Sequence, residues 1–366
     1  MRRICILTQP LRNNYGGLLQ AYALQTILKN LGHEVWTEDR SYNNNLKRKI
    51  KNTNFVRRLF KKETLAQEQI LAQHTQRFVR ENMQTTVNVA SSKKSLFDSY
   101  NFDCYVVGSD QVWRPKYSPD IYNYFLDFTT NMDVRRIAYA ASFGTEKWEM
   151  SKIMSARCKK LAKNFDFISV REDSAVGICK KQFEVEPLHV LDPTLLLEKE
   201  HYISLVEKDN IPKSRGNLSV YILGNSSEKK AIVDRVAKDL NLSPQLLTPK
   251  YIFKKVGVSN INDCIFPAVT SWLRGFMDAY FVVTDSFHGI VFSIIFNKEF
   301  IAIKNKSRGI SRMNSILKIF GLTDRLISTE SEVCKEHYQK IDYKRVNEIK
   351  KEWQNSSVNF LIESLK

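Results

Sequence analysis

The chain has 366 residues, which favours two domains, because a single core rarely grows beyond about 250–300 residues. A hydrophobic fraction of 43% excludes a disordered chain, and no apolar run approaches the roughly 20 residues of a membrane-spanning helix. Fifty-six Lys and Arg residues against 39 Asp and Glu give a net charge of +17, which predicts anionic partners such as nucleic acid, a membrane surface, or phosphate- and carboxylate-bearing substrates.

The N-terminal sequence MRRICILTQP has an apolar stretch too short for a secretion signal and predicts a β-strand instead. The six cysteines are widely spaced, with no CxxC pair and no metal-knuckle pattern. We therefore expect reduced thiols, a cytoplasmic location and no metal site.

The first forty residues predict a strand–helix–strand unit. Residues 3–8 are β-rich, and apolar residues then recur every three to four positions over 17–31. Gly32 is a helix stop signal, and 33–37 predicts the second strand. Such units build parallel sheets. The following strands are predicted at 104–108, 137–141 and 167–170.

A basic segment interrupts this series. Residues 46–62, LKRKIKNTNFVRRLFKK, hold eight basic residues and no acidic one, within an insertion at 40–62. Their spacing suits either a helix lying on an anionic membrane or a solvated insertion, and the sequence leaves both open.

A second α/β series follows the LDPT turn at 191–194. Its strands are predicted at 219–223, 280–284 and 300–303, and its helices near 227–240, 287–296 and 309–319. The pattern predicts an α/β fold of two Rossmann-type, doubly wound domains that face a cleft. The predicted parts are an N-terminal domain 1–187, a C-terminal domain 188–340, and a C-terminal helix 341–366 that packs back across the junction.

Two motifs of the first domain place polar residues at strand ends. Asn14, Gly16 and Gly17 open the first helix, where backbone N–H groups can face an anion, although helix capping alone explains them equally well. GSDQ at 108–111 offers a hydroxyl, a carboxylate and an amide after a strand, and a helix cap is again the simpler explanation.

Arg171 directly follows the strand predicted at 167–170. An arginine at that place suits bidentate capture of carboxylate or phosphate. The simpler alternative is a salt bridge to the neighbouring Glu172 or Asp173.

His288 lies in the first turn of the helix that follows the strand at 280–284. The helix dipole there opposes protonation and favours a neutral ring until an anion arrives. Isolated histidines at helix starts are mostly structural, but this one falls at a predicted topological switch point.

In this order and spacing, the segments resemble the polysaccharide pyruvyl transferase family. The resemblance runs through NNYGG, GSDQVW, RIAYAASFG, SVRED, VLDPTLLL, TDSFHG and SRGISRMNSILKIFGL, about residues 1–325. It implies a GT-B-like fold and a metal-independent, cofactor-free transfer of pyruvate from phosphoenolpyruvate to a sugar as a cyclic ketal.

The resemblance also implies roles for individual residues. His288 matches the family histidine proposed as general acid, and Arg171 matches a phosphoenolpyruvate-binding position. Many members carry an arginine where this chain has Ser286, so an anion contact is missing or comes from the following loop.

The expected catalytic residues are His288 and Asp110, the latter acting on an acceptor hydroxyl or serving only as a cap. The residues expected to bind phosphoenolpyruvate are Arg171, Ser286, Phe287, Lys304, Arg308 and Arg312, and those expected to bind the acceptor are Asn14, Tyr15, Gly16, Gly17, Ser109 and Gln111.

The expected partners are phosphoenolpyruvate and a glycan or lipid-linked oligosaccharide, with peripheral contact to the inner face of the plasma membrane through 46–62. One alternative is a glycosyltransferase of the same fold that uses a nucleotide sugar. Another is a basic nucleic-acid-binding protein, but the chain has no helix-turn-helix, RNP or zinc-finger pattern, so we expect no nucleic acid partner.

Overall fold

A computed structural model describes residues 1–40, 65–93, 97–118, 120–224, 226–305 and 309–366 of the chain. Within these ranges the strands form two separate parallel sheets with helices packed on them. The predicted α/β architecture is therefore confirmed. The basic segment 46–62 and Arg308 lie outside the described residues.

The first sheet has six strands in the order β2-β1-β3-β4-β5-β6. They are β1 (Arg3–Leu7), β2 (Glu34–Thr37), β3 (Cys104–Val107), β4 (Arg135–Ala141), β5 (Phe167–Val170) and β6 (Leu188–His189). Leu7 pairs with Val107, which pairs in turn with Ala138, so the carboxyl ends of the central strands lie at one edge. The central strands are apolar runs buried on both faces, which is typical of parallel sheets covered by helices.

The second sheet has five strands in the order β11-β10-β9-β7-β8. They are β7 (Leu218–Tyr221), β8 (Pro244–Leu246), β9 (Phe281–Thr284), β10 (Glu299–Ile303) and β11 (Leu326–Ile327). Val283 pairs with both Val220 and Ile301, so the carboxyl ends of these strands are also aligned.

Helices of different lengths connect these strands. The α-helices are α1 (Tyr15–Asn30), α2 (Leu65–Leu71), α3 (Gln73–Asn82), α4 (Lys152–Ala162), α5 (Asp173–Phe183), α6 (Lys199–Lys208), α7 (Ser227–Leu240), α8 (Phe253–Val256), α9 (Val269–Asp278), α10 (Phe287–Ile295), α11 (Ile310–Ile319) and α12 (Tyr343–Leu365). The 3₁₀ turns are Asp98–Tyr100, Ile121–Phe125, Asp127–Thr129, Pro193–Leu196, Val258–Cys264, Thr323–Arg325, Glu330–Glu332 and Lys335–Tyr338.

One hydrophobic cluster joins the two halves of the molecule. It runs from Leu19 of α1 through Leu195 and Tyr202 to Phe292 of α10, all of which are buried. Burial of apolar surface stabilises a fold by roughly 25 cal/mol per Å². This shared core therefore holds the two sheets, with their helices, against each other. The carboxyl ends of both sheets can therefore contribute to one site.

The C-terminal helix α12 crosses from the second sheet to the first, as predicted. The Tyr343 hydroxyl, at its start, donates to the carbonyl of Lys298, just before β10. Near its end, the Phe360 ring lies 6.1 Å from the ring of Tyr139 in β4. None of the helices in the described ranges has the length and apolarity needed to span a bilayer.

Candidate active site

A cavity of about 290 Å³ lies where the carboxyl ends of the two sheets meet. Residues from both halves of the chain line it: Gln9, Pro10, Arg12, Asn13, Asn14, Asp110, Gln111, Tyr117, Leu223, Asp285, Ser286, Phe287, His288, Gly309, Arg312 and Met313. Ligands of open parallel sheets bind at this edge. The cavity is therefore the candidate active site.

Three helices begin at this cavity. Asn14, Ser286 and Gly309 are the residues that directly precede α1, α10 and α11, and all three line it. The N-terminus of a helix carries a partial positive charge and unbonded N–H groups. Three of them around one cavity favour an anionic ligand.

The Asn14 side chain does not cap its own helix. It makes no capping hydrogen bond, and its Nδ2 instead donates to Oδ2 of Asp110 at 3.4 Å. Asp110 also accepts a hydrogen bond from the backbone N–H of Gln111 at 2.8 Å. The first two motifs of the sequence therefore meet at the cavity wall.

Arg171 lies behind this wall, with only 1% of its side chain exposed. Its Nη1 donates to Oδ2 of Asp192 at 2.7 Å, and its Nη2 lies 3.5 Å from Oδ1 of Asp110. Burial alone would lower the pKa of Arg171, but Asp192 and Asp110 raise it. Its partners are thus not the adjacent Glu172 or Asp173, and a direct contact with a ligand would require it to leave two carboxylates.

Arg312, in the first turn of α11, is the buried cation that does line the cavity. Its guanidinium lies 5.7 Å from the Phe287 ring centre, and that of Arg171 lies 4.6 Å from the same ring. Burial and the charge of Arg171 lower the pKa of Arg312 to about 10. An anion bound in the cavity would offset both effects.

His288 faces the junction of the two halves. Its Nε2 lies 3.7 Å from Oδ2 of Asp192, which is longer than a hydrogen bond. On the other side, its ring packs so closely on Gly16 that a methyl group there would overlap Nδ1. A general acid at this place would be held between α1 and Asp192.

The predicted site residues within the described ranges divide into two groups by position. Those that line the cavity are Asn14, Asp110, Gln111, Ser286, Phe287, His288 and Arg312. Those that lie elsewhere within the described ranges are Tyr15, Gly16, Gly17, Ser109, Arg171 and Lys304. Of these, Ser109 is fully buried and its backbone N–H donates to Oε1 of Gln20 at 2.9 Å, and Tyr15 lines a second cavity.

Asp192 also lies at this site, although the sequence placed it only in the LDPT turn at 191–194. The turn exists, since Oδ1 accepts hydrogen bonds from the N–H and the hydroxyl of Thr194 at 3.0 and 2.6 Å. Its second oxygen contacts Arg171 and His288. An aspartate before Pro-Thr has a complete local explanation, so the sequence carried no signal for this second role.

A second, larger cavity of about 960 Å³ adjoins the first and shares Asn13, Asn14 and Leu223 with it. It lies at the carboxyl ends of β7 and β8. Five aromatic residues line it: Tyr15, Tyr221, Tyr251, Phe253 and Phe266. The basic residues among its lining are Lys229, Lys230, Lys250 and Lys255.

Within the described ranges, no three His, Cys, Asp or Glu side chains are grouped as a metal site would require.

Solved structures with this fold cover nearly the whole chain at low sequence identity. A UDP-GlcNAc 2-epimerase from Neisseria meningitidis, bound to UDP-GlcNAc, covers 100% of this chain and 99% of its own, with a TM-score of 0.58 and 8% identity. UGT89C1 of Arabidopsis thaliana covers 99% and 98%, with a TM-score of 0.53 and 8% identity. A UDP-N-acetylglucosamine 2-epimerase described as putative, from Listeria monocytogenes, covers 100% and 96%, with a TM-score of 0.51 and 9% identity. These similarities show a GT-B-like fold.

The sequence itself gives a narrower result. No curated protein matches it significantly. The sequence profile of the polysaccharide pyruvyl transferase family, however, matches residues 14–307, from the start of α1 to the segment after β10, and this range includes Asp110, Asp192 and His288. The chain belongs to the polysaccharide pyruvyl transferase family.

Proposed function

We propose that the protein transfers pyruvate from phosphoenolpyruvate to two hydroxyls of one sugar in a polysaccharide or lipid-linked glycan precursor. The product is a cyclic ketal, and phosphate is released. The observation that carries this proposal is the convergence of three helix N-termini and buried Arg312 on a cavity that also contains His288.

The donor suits this cavity because it carries two anionic groups on a small frame. A carboxylate and a phosphate can each accept hydrogen bonds from helix N-termini, and Arg312 can pair with either of them. Arg171, in this proposal, acts through Asp110 and Asp192 and adds positive charge behind the wall. In this proposal the helix N-termini supply the anion contact that many members make with an arginine at the position of Ser286.

The chemistry needs a proton donor beside the methylene carbon of phosphoenolpyruvate. In the proposed reaction His288 gives a proton to that carbon, and the neighbouring carbon becomes oxocarbenium-like. One sugar hydroxyl adds there and loses its proton, with Asp110 as the acceptor. Phosphate then leaves with its electron pair. A second hydroxyl of the sugar adds to the same carbon and gives its proton to the now neutral His288, which closes the ring and restores the acid. Positioned proton transfer typically contributes about 10²–10⁴-fold to such a rate.

We place the rest of the acceptor in the second cavity. Its aromatic rings offer flat apolar surfaces for sugar faces, and Asn13 and Asn14 connect it with the first cavity. The sugar that is modified would enter the first cavity beside Asp110, while its neighbours in the glycan lie against the rings.

The test of this function is phosphate release from phosphoenolpyruvate with and without a glycan acceptor. We expect release only with an acceptor, and we expect EDTA to leave it unchanged. Release that EDTA abolishes and a divalent metal restores would disprove the metal-free reaction.

A thermal-shift measurement separates this function from nucleotide-sugar transfer. A ligand at 100 times its Kd stabilises a protein by about 2.7 kcal/mol, so phosphoenolpyruvate should raise the melting temperature. A shift with UDP-sugars and none with phosphoenolpyruvate would favour a glycosyltransferase.

A further inference from the structure

The carboxylate of Asp192 is fully buried, and its two oxygens have different partners. Oδ1 accepts both hydrogen bonds from Thr194, which hold the start of the turn Pro193–Leu196. Oδ2 faces the candidate site, where Arg171 and the Ser109 hydroxyl donate to it at 2.7 and 3.3 Å. Thr194 therefore fixes the carboxylate, and Oδ2 is presented to the site.

The imidazole of His288 has only one nitrogen that faces this carboxylate. Nε2 lies 3.7 Å from Oδ2 and has no hydrogen-bond partner in the described part of the chain. Nδ1 lies on the opposite side, over Gly16 at the start of α1. The ring is 5% exposed and enclosed on both sides, so a flip that exchanges the nitrogens would need both neighbours to move.

The charge on Asp192 decides which tautomer is favoured. Burial alone would raise the pKa of Asp192, but His288 and Arg171 outweigh burial and hold it below its usual range. An ionised carboxylate can only accept a hydrogen bond. It therefore favours a proton on Nε2, the nitrogen that faces it.

Other charged groups lie near the ring on the cavity side. Asp110 and Arg312 line the same cavity as His288, and Arg171 lies behind Asp192. Within the described ranges, Asp192 is the one member of this set that contacts a ring nitrogen of His288.

We propose that Asp192 is a positioning residue that keeps a proton on Nε2 of His288, so that Nδ1, on the α1 side, is the nitrogen that gives its proton to the donor. In the charged ring both nitrogens carry a proton. When Nδ1 gives its proton to the methylene carbon, the Nδ1–H bond breaks, a C–H bond forms, and the ring remains as the Nε2–H tautomer. The identity of the proton's acceptor rests on the proposed function, whereas the tautomer of His288 does not.

The first test uses the wild-type protein, so it does not depend on the folding of a variant. Long-range ¹H–¹⁵N NMR of protein with ¹⁵N-labelled histidine distinguishes the two neutral tautomers, and His288→Gln identifies the signals of His288 by their loss. We expect the Nε2–H tautomer at alkaline pH. A ring protonated on Nδ1 would overturn the proposal.

The second test compares Asp192→Asn with Asp239→Asn, the same change at an exposed carboxylate on α7. An amide can donate as well as accept, so Asp192→Asn removes the preference for Nε2–H. We expect kcat to fall by up to about 10²–10⁴-fold, the contribution of a positioned proton donor, with a smaller change in KM for phosphoenolpyruvate and an altered pH profile of kcat. Asp239→Asn leaves the surroundings of His288 untouched and should retain kcat within a few-fold.

The outcomes of these tests are separable. A folded Asp192→Asn variant with wild-type kcat and the wild-type tautomer would overturn the role of Asp192. If circular dichroism shows that this variant does not fold, the wild-type NMR measurement still decides. If wild-type protein shows the Nε2–H tautomer but never releases phosphate from phosphoenolpyruvate, the proposed function is wrong. The role of Asp192 in positioning the proton of His288 is then still supported.

Discussion

Asp285 and Asp192 are both buried carboxylates at the carboxyl end of a sheet, but their partners differ. Asp285 follows β9, and its Oδ1 accepts from the backbone N–H of Leu223 at 2.7 Å. Its Oδ2 accepts from the N–H of Gly224 at 3.1 Å, from Lys229 at 2.5 Å and from Asn305 at 3.0 Å. Each oxygen has a hydrogen-bond donor, and the loop after β7 is held in place.

The group of side chains around Asp192 is less complete. Arg171 Nε, Glu172 Oε2 and His288 Nε2 are buried without a hydrogen-bond partner in the described residues. Buried polar atoms are nearly always paired, so a local cluster of exceptions needs an explanation. Asp285 therefore supports the structure, whereas the unpaired atoms near Asp192 fit the proton transfer proposed for His288.

The largest effect should come from His288→Gln. Turnover should fall by about 10²–10⁴-fold, because an amide cannot deliver the proton. Phosphoenolpyruvate binding should change far less, since only the transition state gains from proton delivery. Steady-state kinetics and calorimetry measure both, with the exposed His74→Gln as control. Turnover within a few-fold of wild type would assign His288 a structural role.

Asp285→Asn should affect stability most. The change leaves Lys229 without its carboxylate, and loss of one partner of a buried ion pair costs about 3–5 kcal/mol. Urea unfolding measures this loss. Asp239→Asn, at an exposed pair on α7, is the control and should barely move the midpoint. Equal midpoints for both variants would contradict the contrast drawn between the two carboxylates.

Arg312→Met should weaken the binding of phosphoenolpyruvate. A hydrogen bond to a charged group contributes about 1.5–3 kcal/mol, so phosphoenolpyruvate binding should weaken by roughly 10- to 150-fold. Urea unfolding of the variant without ligand, measured alongside, shows whether any loss of affinity comes from loss of folding. Lys318→Met, exposed on the same helix, is the matched control. Unchanged donor affinity would remove Arg312 from the proposed donor site.

The smallest effect concerns the second cavity. Tyr251 lines it and is 43% exposed, so Tyr251→Ala should not disturb the core. Loss of one stacking ring should raise KM for the glycan by about 2- to 12-fold, the equivalent of roughly 0.5–1.5 kcal/mol, with KM for the donor unchanged. Tyr280→Ala, exposed outside both cavities, serves as the control. Equal acceptor KM values in the two variants would place the glycan elsewhere.

The sequence predicted the central strands well because each is an apolar run. The strand expected at 167–170 is β5, with the same bounds, and the helix expected near 227–240 is α7. It did not predict β6, β8 and β11, which have two or three residues each at or near the sheet edges. So few residues show no periodicity, and only pairing with a neighbour defines them.

The candidate site was predictable only in part. Strand-end motifs correctly brought Asn14, Asp110 and His288 to one cavity, because aligned parallel strands end at one edge. The inward position of Arg171 was not predictable, since it depends on two carboxylates that are 61 and 21 residues away in the chain. Local sequence patterns do not show how distant charges compete for one partner.

The crossing of α12 has a consequence for synthesis on the ribosome. Its Phe360 ring covers Tyr139 and Phe167, which belong to the central strands β4 and β5 of the first sheet. At 5–20 residues per second, roughly 10–35 s separate the emergence of β6 from that of the helix. During this interval the part of the sheet around Tyr139 and Phe167 lacks the cover of Phe360 and is open to a chaperone or an aggregating chain.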